Sequence, residues 1–246
     1  VDLRLKWGEI HALLGENGSG KTTLVNMLSG IYQPDDGEIW VDGNQAVIDS
    51  PKTAYQLGIG MIHQHFKLVD VFSAAENIVL GLDEKGRYDI RKVAQRVREI
   101  SERYGFDIDP NKKIHEMSVS EKQTVEIVKV LYRGADILIL DEPTAVLTPQ
   151  EITKLFRVIN NMKEQGCAVV IITHKLNEVM EISDRVTVLR KGQSIDTVVT
   201  KDVNIPSLIE MMVAQKVDLS IHMEKTEKVE KILEADGVTV LNAEGK

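Results

Sequence analysis

Apolar residues fall into short unbroken blocks along this chain. "IHALL" at Ile10–Leu14, "IGMI" at Ile59–Ile62, residues 137–140 and "AVVIIT" at Ala168–Thr173 each read as a buried strand. Between them apolar positions recur at helical spacing. Continuous apolar strands separated by helices predict a parallel sheet covered on both faces. The punctuation places the helices. A glycine-rich loop leads into a helix over residues 21–29, and Ser50, Pro51 and Gly58 bracket a short one. Ser73 with Glu76 caps a third, and Asp89 opens a longer one closed by Gly105. Ser118 and Glu121 form an S-x-x-E start ahead of Val119–Tyr132, and Thr148-Pro149-Gln150-Glu151 opens a helix to Gln165. A further helix is expected at Leu176–Ile182. Asp-Gly occurs twice in "PDDGEIWVDG", a signal for a small antiparallel hairpin, and Lys191-Gly192 centres a second hairpin. The block from about 70 to 133 reads as a helical insertion into the sheet. Residues 214–230 are charged and poor in aromatics, as a linker would be, and residues 231–246 resemble an opening strand.

Composition narrows the function classes. The chain has 246 residues, 43% hydrophobic and 28% charged, ample for a sizeable core. A net charge of −8 argues against a broad electrostatic footprint on nucleic acid. The single cysteine, Cys167, excludes a disulfide framework and fits a small core hydrophobe. No signal peptide opens the sequence, and no apolar run approaches the roughly 20 residues of a membrane span. Any work at a membrane is therefore expected to be peripheral.

The chemistry concentrates at the ends of the predicted strands. "GENGSGKT" at residues 15–22 fits G-x-x-x-x-G-K-[ST] between a strand and a helix, the setting this phosphate-binding motif needs. Gly15, Asn17, Gly18, Ser19 and Gly20 form the loop, whose backbone N–H groups turn inward around phosphate oxygens. Lys21 supplies a point charge to the terminal phosphates, and Thr22 offers a hydroxyl to Mg²⁺, with Thr23 beside it. ATP and Mg²⁺ are the expected ligands. The predicted fold is α/β: a P-loop NTPase with a RecA-like parallel sheet, an antiparallel β subdomain and the helical insertion.

"ILILDE" ends a strand in Asp141 and Glu142, which an α/β sheet aims into the ligand crevice. Asp141 is expected to hold Mg²⁺, usually through water, and Glu142 to polarise the attacking water. A solvated acidic turn is the alternative. His174 closes "VVIITH" at the same crevice, either as a contact to the γ-phosphate or as a structural strand-end histidine. Gln64 ends another strand and is placed to touch metal and water. His63 and His65 flank it without the third ligand a metal site needs.

Taken together, the P-loop, Gln64, the "MSVSEKQ" helix start, "ILILDEPTAVLT" and His174 have the order and spacing of an ABC-type ATPase domain. The resemblance covers residues 1–213. "GMIHQHFKLV", "AENIVLG", "LYRGADILILDEPTAVLTPQE" and "MMVAQKVDL" narrow it to the ATP-binding subunits of bacterial simple-sugar and nucleoside importers. Those subunits usually carry two ATPase domains in one polypeptide, so residues 231–246 resemble the truncated first strand of a second copy. The family's adenine-stacking aromatic falls before Val1, and Trp7 is a poor substitute for it.

The resemblance also implies a target for the helix behind Ser118: a nucleotide held by a second ABC domain. It adds Ser118, Ser120 and Glu121 to the nucleotide-binding set. Ser120 stands where the family pattern has glycine. A left-handed backbone there would cost about 1–2 kcal/mol for a Cβ and slow the composite site; a tolerated change is the alternative. The implied partners are that second domain, membrane permease subunits and, indirectly, a substrate-binding lipoprotein, at the cytoplasmic face of the membrane. Two other classes stay open, a soluble ABC ATPase of translation or repair and a nucleotide-binding module with little hydrolysis.

Overall fold

Five consecutive buried residues make β1 (Ile10–Leu14) the centre of the molecule's main sheet. In the computed structural model, which describes residues 1–64, 66–82, 89–213 and the single residues Glu234, Asp236, Gly237 and Thr239, β1 pairs in parallel with two strands distant in sequence. Its neighbours are β6 (Ala168–Thr173) and β7 (Arg185–Arg190). With β4 (Ile59–Ile62), β5 (Ile137–Asp141) and β8 (Gln193–Val199) the order is β4-β5-β6-β1-β7-β8. Every pairing is parallel except β7 with β8. That hairpin turns at Lys191 and Gly192, both left-handed at φ 49° and 76°, as its twist requires. β2 (Ile39–Val41) and β3 (Asn44–Ala46) form the separate antiparallel sheet. Only the second Asp-Gly pair, Asp42-Gly43 at φ 50° and 77°, makes its turn; Asp36-Gly37 precedes the strand.

Two helices pack one face of the sheet, α1 (Lys21–Leu28) and α2 (Pro51–Gln56), around Leu13, Val25, Ile139 and Ile172. The insertion packs against the other. Its helices α3 (Ala74–Val79), α4 (Ile90–Tyr104) and α5 (Val119–Tyr132) share one apolar cluster with Ile10, Ile62, Leu138 and Leu140 of the strands. Gly60 seats α5 on β4: a Cβ there would lie 2.1 Å from Val130 Cγ1 and 2.9 Å from Ala135 Cβ. The helix α6 (Pro149–Glu164) joins this cluster through Leu155, Phe156, Ile159 and Met162. Beyond β7, α7 (Leu176–Ile182) and α8 (Ile205–Val213) close a third cluster around Val179, Val186, Val188 and Leu208.

Sequence reasoning did not single out α8. Asn204 accepts from the Ser207 N–H at 3.0 Å, a start signal visible in the sequence. The chain divides into compact units at residues 1–216 and 217–246. The expected linker at 214–230, the strand at 231–246 (apart from four single residues) and His65 lie outside the described residues.

Candidate functional site

Parallel strands in register put their carboxyl ends at one edge. Asp141 on β5 pairs with Ile172 on β6, and Leu14 at the end of β1 pairs with Thr173. The loop 15–20, the Asp141-Glu142 pair and His174 all leave from that edge, and Gln64 leaves beside them from the end of β4.

The loop is shaped by its glycines. Gly18 and Gly20 are left-handed, at φ 78° and 102°. A Cβ on Gly15 would meet Leu189 O at 2.4 Å and Ser19 Oγ at 2.5 Å, so only glycine fits the base of the loop. Gly20 is the N-cap of α1 and offers no side-chain acceptor, which leaves the first N–H groups of that helix open toward the crevice. The Ser19 hydroxyl is buried without a partner within the protein. Lys21 is buried and donates Nζ to Gly15 O at 2.8 Å and Glu16 O at 3.0 Å. Burial holds its ammonium below the ordinary lysine range, opposed by the carboxylates of Glu142 and Asp141.

A cavity of about 390 Å³ opens at this edge. Asn17, Gly18, Gly20, Lys21, Thr22 and Thr23 form one wall, and Gln64, Asp141, Glu142 and His174 form the other. Gly15 and Ser19 belong to the same loop but are not among the lining residues. Burial raises the Asp141 carboxyl, Glu142 raises it further and Lys21 opposes. His174 Nδ1 lies 2.8 Å from Glu142 Oε1. Glu142 has φ 46°, a left-handed backbone without glycine that costs about 1–3 kcal/mol. A larger hollow of about 860 Å³ lies elsewhere, between residues 1–7, β2 and the starting residues Ile59, Ile137 and Ala168 of three strands. It sits at the amino ends of the strands, away from the carboxylates. Trp7 lines that hollow and donates Nε1 to Asp42 Oδ1 at 2.9 Å, so it is not a wall of the smaller cavity.

The cavity has the groups that a triphosphate and a divalent cation call for. Left-handed glycines, the orphaned Ser19 hydroxyl and Lys21 suit phosphate, and Thr22, Gln64 and Asp141 supply the oxygen donors Mg²⁺ prefers.

Ser118, Ser120 and Glu121 are not among the residues lining this cavity. They start α5 as a reciprocal capping box: the Ser118 N–H donates to Glu121 Oε2 at 2.7 Å and the Glu121 N–H to Ser118 Oγ at 3.2 Å. Lys112 Nζ, 2.6 Å from Glu121 Oε1, holds that carboxyl below its usual range. Ser120 corrects one expectation. It lies inside α5 with no positive φ, so the penalty of a Cβ on a left-handed backbone does not apply.

Three residues near the site were not identified from sequence. Gln123 in α5, and Lys175 and Glu178 in and before α7, surround the turn after Glu142. The available signal was a buried amide in the apolar stripe of α5.

Comparison with known proteins agrees with this architecture. The family described as ABC transporter matches residues 1–145. Over its whole length the chain is 48% identical to the nucleoside import ATP-binding protein NupA of Lactococcus lactis subsp. cremoris (strain MG1363), covering 49% of that protein. It is likewise 51% identical to the guanosine import ATP-binding protein NupO of Bacillus subtilis (strain 168), covering 48%. The chain thus spans about half the length of these curated relatives. Among solved structures, cbiO1 from Clostridium perfringens, part of the ABC transporter complex cbiONQ, superposes with a TM-score of 0.71 at 29% identity, covering 82% of this chain and 81% of its own. A phosphate loop, an Asp-Glu strand end and a strand-end histidine meeting in one cavity, on a sheet shared with cbiO1, agree with the sequence match: the chain belongs to the ABC transporter family.

Proposed function

We propose that this chain binds and hydrolyses ATP and so energises import of a nucleoside or simple sugar through membrane permease subunits. The observation that carries the reading is the single cavity holding the phosphate loop, Lys21, Asp141, Glu142 and His174. The import class rests on the NupA and NupO likeness. Among the described residues no helix is long and apolar enough to cross a membrane, which suits a peripheral role at the cytoplasmic face. A substrate-binding lipoprotein would act indirectly, through the permease.

In this reading the loop N–H groups and Lys21 hold the triphosphate. Thr22, Asp141 and Gln64 would hold Mg²⁺, which offsets phosphate charge. Glu142 orients and polarises water. A carboxylate only accepts, so the 2.8 Å contact puts the proton on Nδ1 of His174. His174, held beside Glu142 in the same cavity, would supply an N–H to a γ-phosphate oxygen. Ser118 at the start of α5, which does not line this cavity, would complete the site of a second ABC domain.

The test is nucleotide binding and ATP turnover by the 246-residue chain alone and when joined to a second ABC domain. Turnover that rises when the second domain is present supports the reading. Failure of both forms to bind or split ATP, with the fold intact, overturns it.

A further inference from the structure

The turn after Glu142 is gripped from two sides. Gln123, buried on α5, donates Nε2 to Pro143 O at 2.7 Å. Thr144 is buried as well, and its hydroxyl donates to Glu178 Oε2 on α7 at 2.6 Å. Lys175 Nζ completes the second grip, reaching Thr144 O at 3.0 Å, Thr144 Oγ1 at 3.1 Å and Glu178 Oε1 at 3.0 Å.

Glu178 also lies in the first turn of α7 and accepts from Thr173 Oγ1 at 3.5 Å, whereas Gln123 has its bond to Pro143 O. A glutamine amide among Val125, Ile127 and Val128 and a carboxylate beside Val179 are costly to bury unless bonded, and an apolar residue of similar size would fill either place. What they bond is telling. Glu142 has a left-handed backbone, which persists only where its surroundings over-determine it. Pro143 has no N–H to contribute. The segment's other bonds are the Glu142 N–H to Ile172 O at 2.9 Å, the Ala145 N–H to Glu142 O at 3.2 Å, the Leu147 N–H to Thr144 O at 3.4 Å and, from the side chain, Glu142 Oε1 with His174 Nδ1 at 2.8 Å. The Gln123 and Glu178 bonds fall on the next two residues, one from each flanking helix.

We propose that Gln123 and Glu178 are positioning residues for ATP hydrolysis, clamping the Glu142–Thr144 turn so that the Glu142 carboxylate faces the phosphate loop. The inference rests on the hydrolytic reading above. It carries a mechanical consequence: a shift of α5, which begins at Ser118, reaches Glu142 through Pro143.

The test uses the full-length protein and measures kcat, KM, equilibrium MgATP affinity and thermal stability. Gln123→Met keeps the volume and removes the donor. Glu178→Ala removes the acceptor, whereas Glu178→Gln keeps one for Thr144. Gln123→Met and Glu178→Ala are each expected to lower kcat about tenfold to a hundredfold, the scale of a small misplacement of a reacting group. MgATP affinity should stay within about twofold, and Glu178→Gln should recover most of the rate. On a Glu142→Gln background Gln123→Met should cost nothing further. Should Gln123→Met fail to fold, Gln123→Asn, which keeps the amide and shortens its reach, is expected to show the same split. Unchanged kcat in an active protein overturns the inference alone, as does a parallel fall of kcat, affinity and stability, which would mark a plain brace. Wild-type protein without turnover removes the hydrolytic reading and this inference with it.

Discussion

His174 Nδ1 and Glu142 Oε1 sit 2.8 Å apart across 32 residues of sequence, at the ends of the neighbouring strands β6 and β5. The contact lets each side chain orient the other at the edge of the phosphate-loop cavity.

Removing either partner should therefore separate binding from chemistry. Glu142→Gln keeps the shape and loses the base, and turnover is expected to fall by roughly 10²–10⁴. His174→Ala should cost about 10²–10³, as for loss of one charge-stabilising donor. In both, nucleotide affinity should hold within a few-fold. Because the residues act as a unit, the double variant should be little slower than the worse single one. Steady-state ATPase rates beside equilibrium nucleotide titration check all three.

Much of this was readable in the chain, for physical reasons. A phosphate loop declares itself because glycine, lysine and threonine must stand at fixed spacing, and Asp141 and His174 follow from the rule that parallel strands end in the crevice. Capping at Ser73, Ser118 and Thr148 is local and was legible for that reason. The clamp on Pro143 and Thr144 was not, because a buried Gln123 in an apolar run looks like an imperfection until its partner 20 residues away is seen. The backbone at Ser120 was also misjudged. The glycine of the resembled pattern suggests left-handed geometry, yet Ser120 sits inside α5 with no positive φ.

That correction gives its own expectation. Ser120→Gly should bring no gain in turnover. It should instead lower stability by about 0.5 kcal/mol, since glycine is the poorer helix former, seen as a small drop in melting temperature. A clear rise in ATPase rate would restore the view that Ser120 holds the site back.

Gly60 offers a packing test. Its missing Cβ is the space taken by Val130 Cγ1, so Gly60→Ala should overpack the contact between α5 and β4 and cost about 1–3 kcal/mol. Val130→Ala leaves the place Gly60→Ala would fill, so the double variant should be more stable than the sum of the two singles. Denaturant unfolding of the four proteins measures the difference.

His11 carries the pH dependence. It is buried on β1, with Nδ1 3.0 Å from Glu9 Oε1 and Nε2 2.7 Å from Thr187 Oγ1. Burial lowers its pKa below the ordinary 6.5, Glu9 opposes this, and Arg185 adds to the lowering. The folded protein then binds fewer protons than the unfolded chain between that lowered value and 6.5. Stability due to His11 is thus fully present above pH 6.5 and is lost as the pH falls toward and through the native value. His63 is also lowered, chiefly by burial, and pushes the same way, so only a difference isolates His11. His11→Gln keeps a polar side chain and cannot titrate. Between pH 7.5 and 5.5 the wild-type melting temperature should fall more steeply than the variant's, narrowing the gap between them. Parallel curves would mean that the His11 pKa is the same folded and unfolded, and a gap that widens toward pH 5.5 would mean that the folded state holds the proton, paired with Glu9.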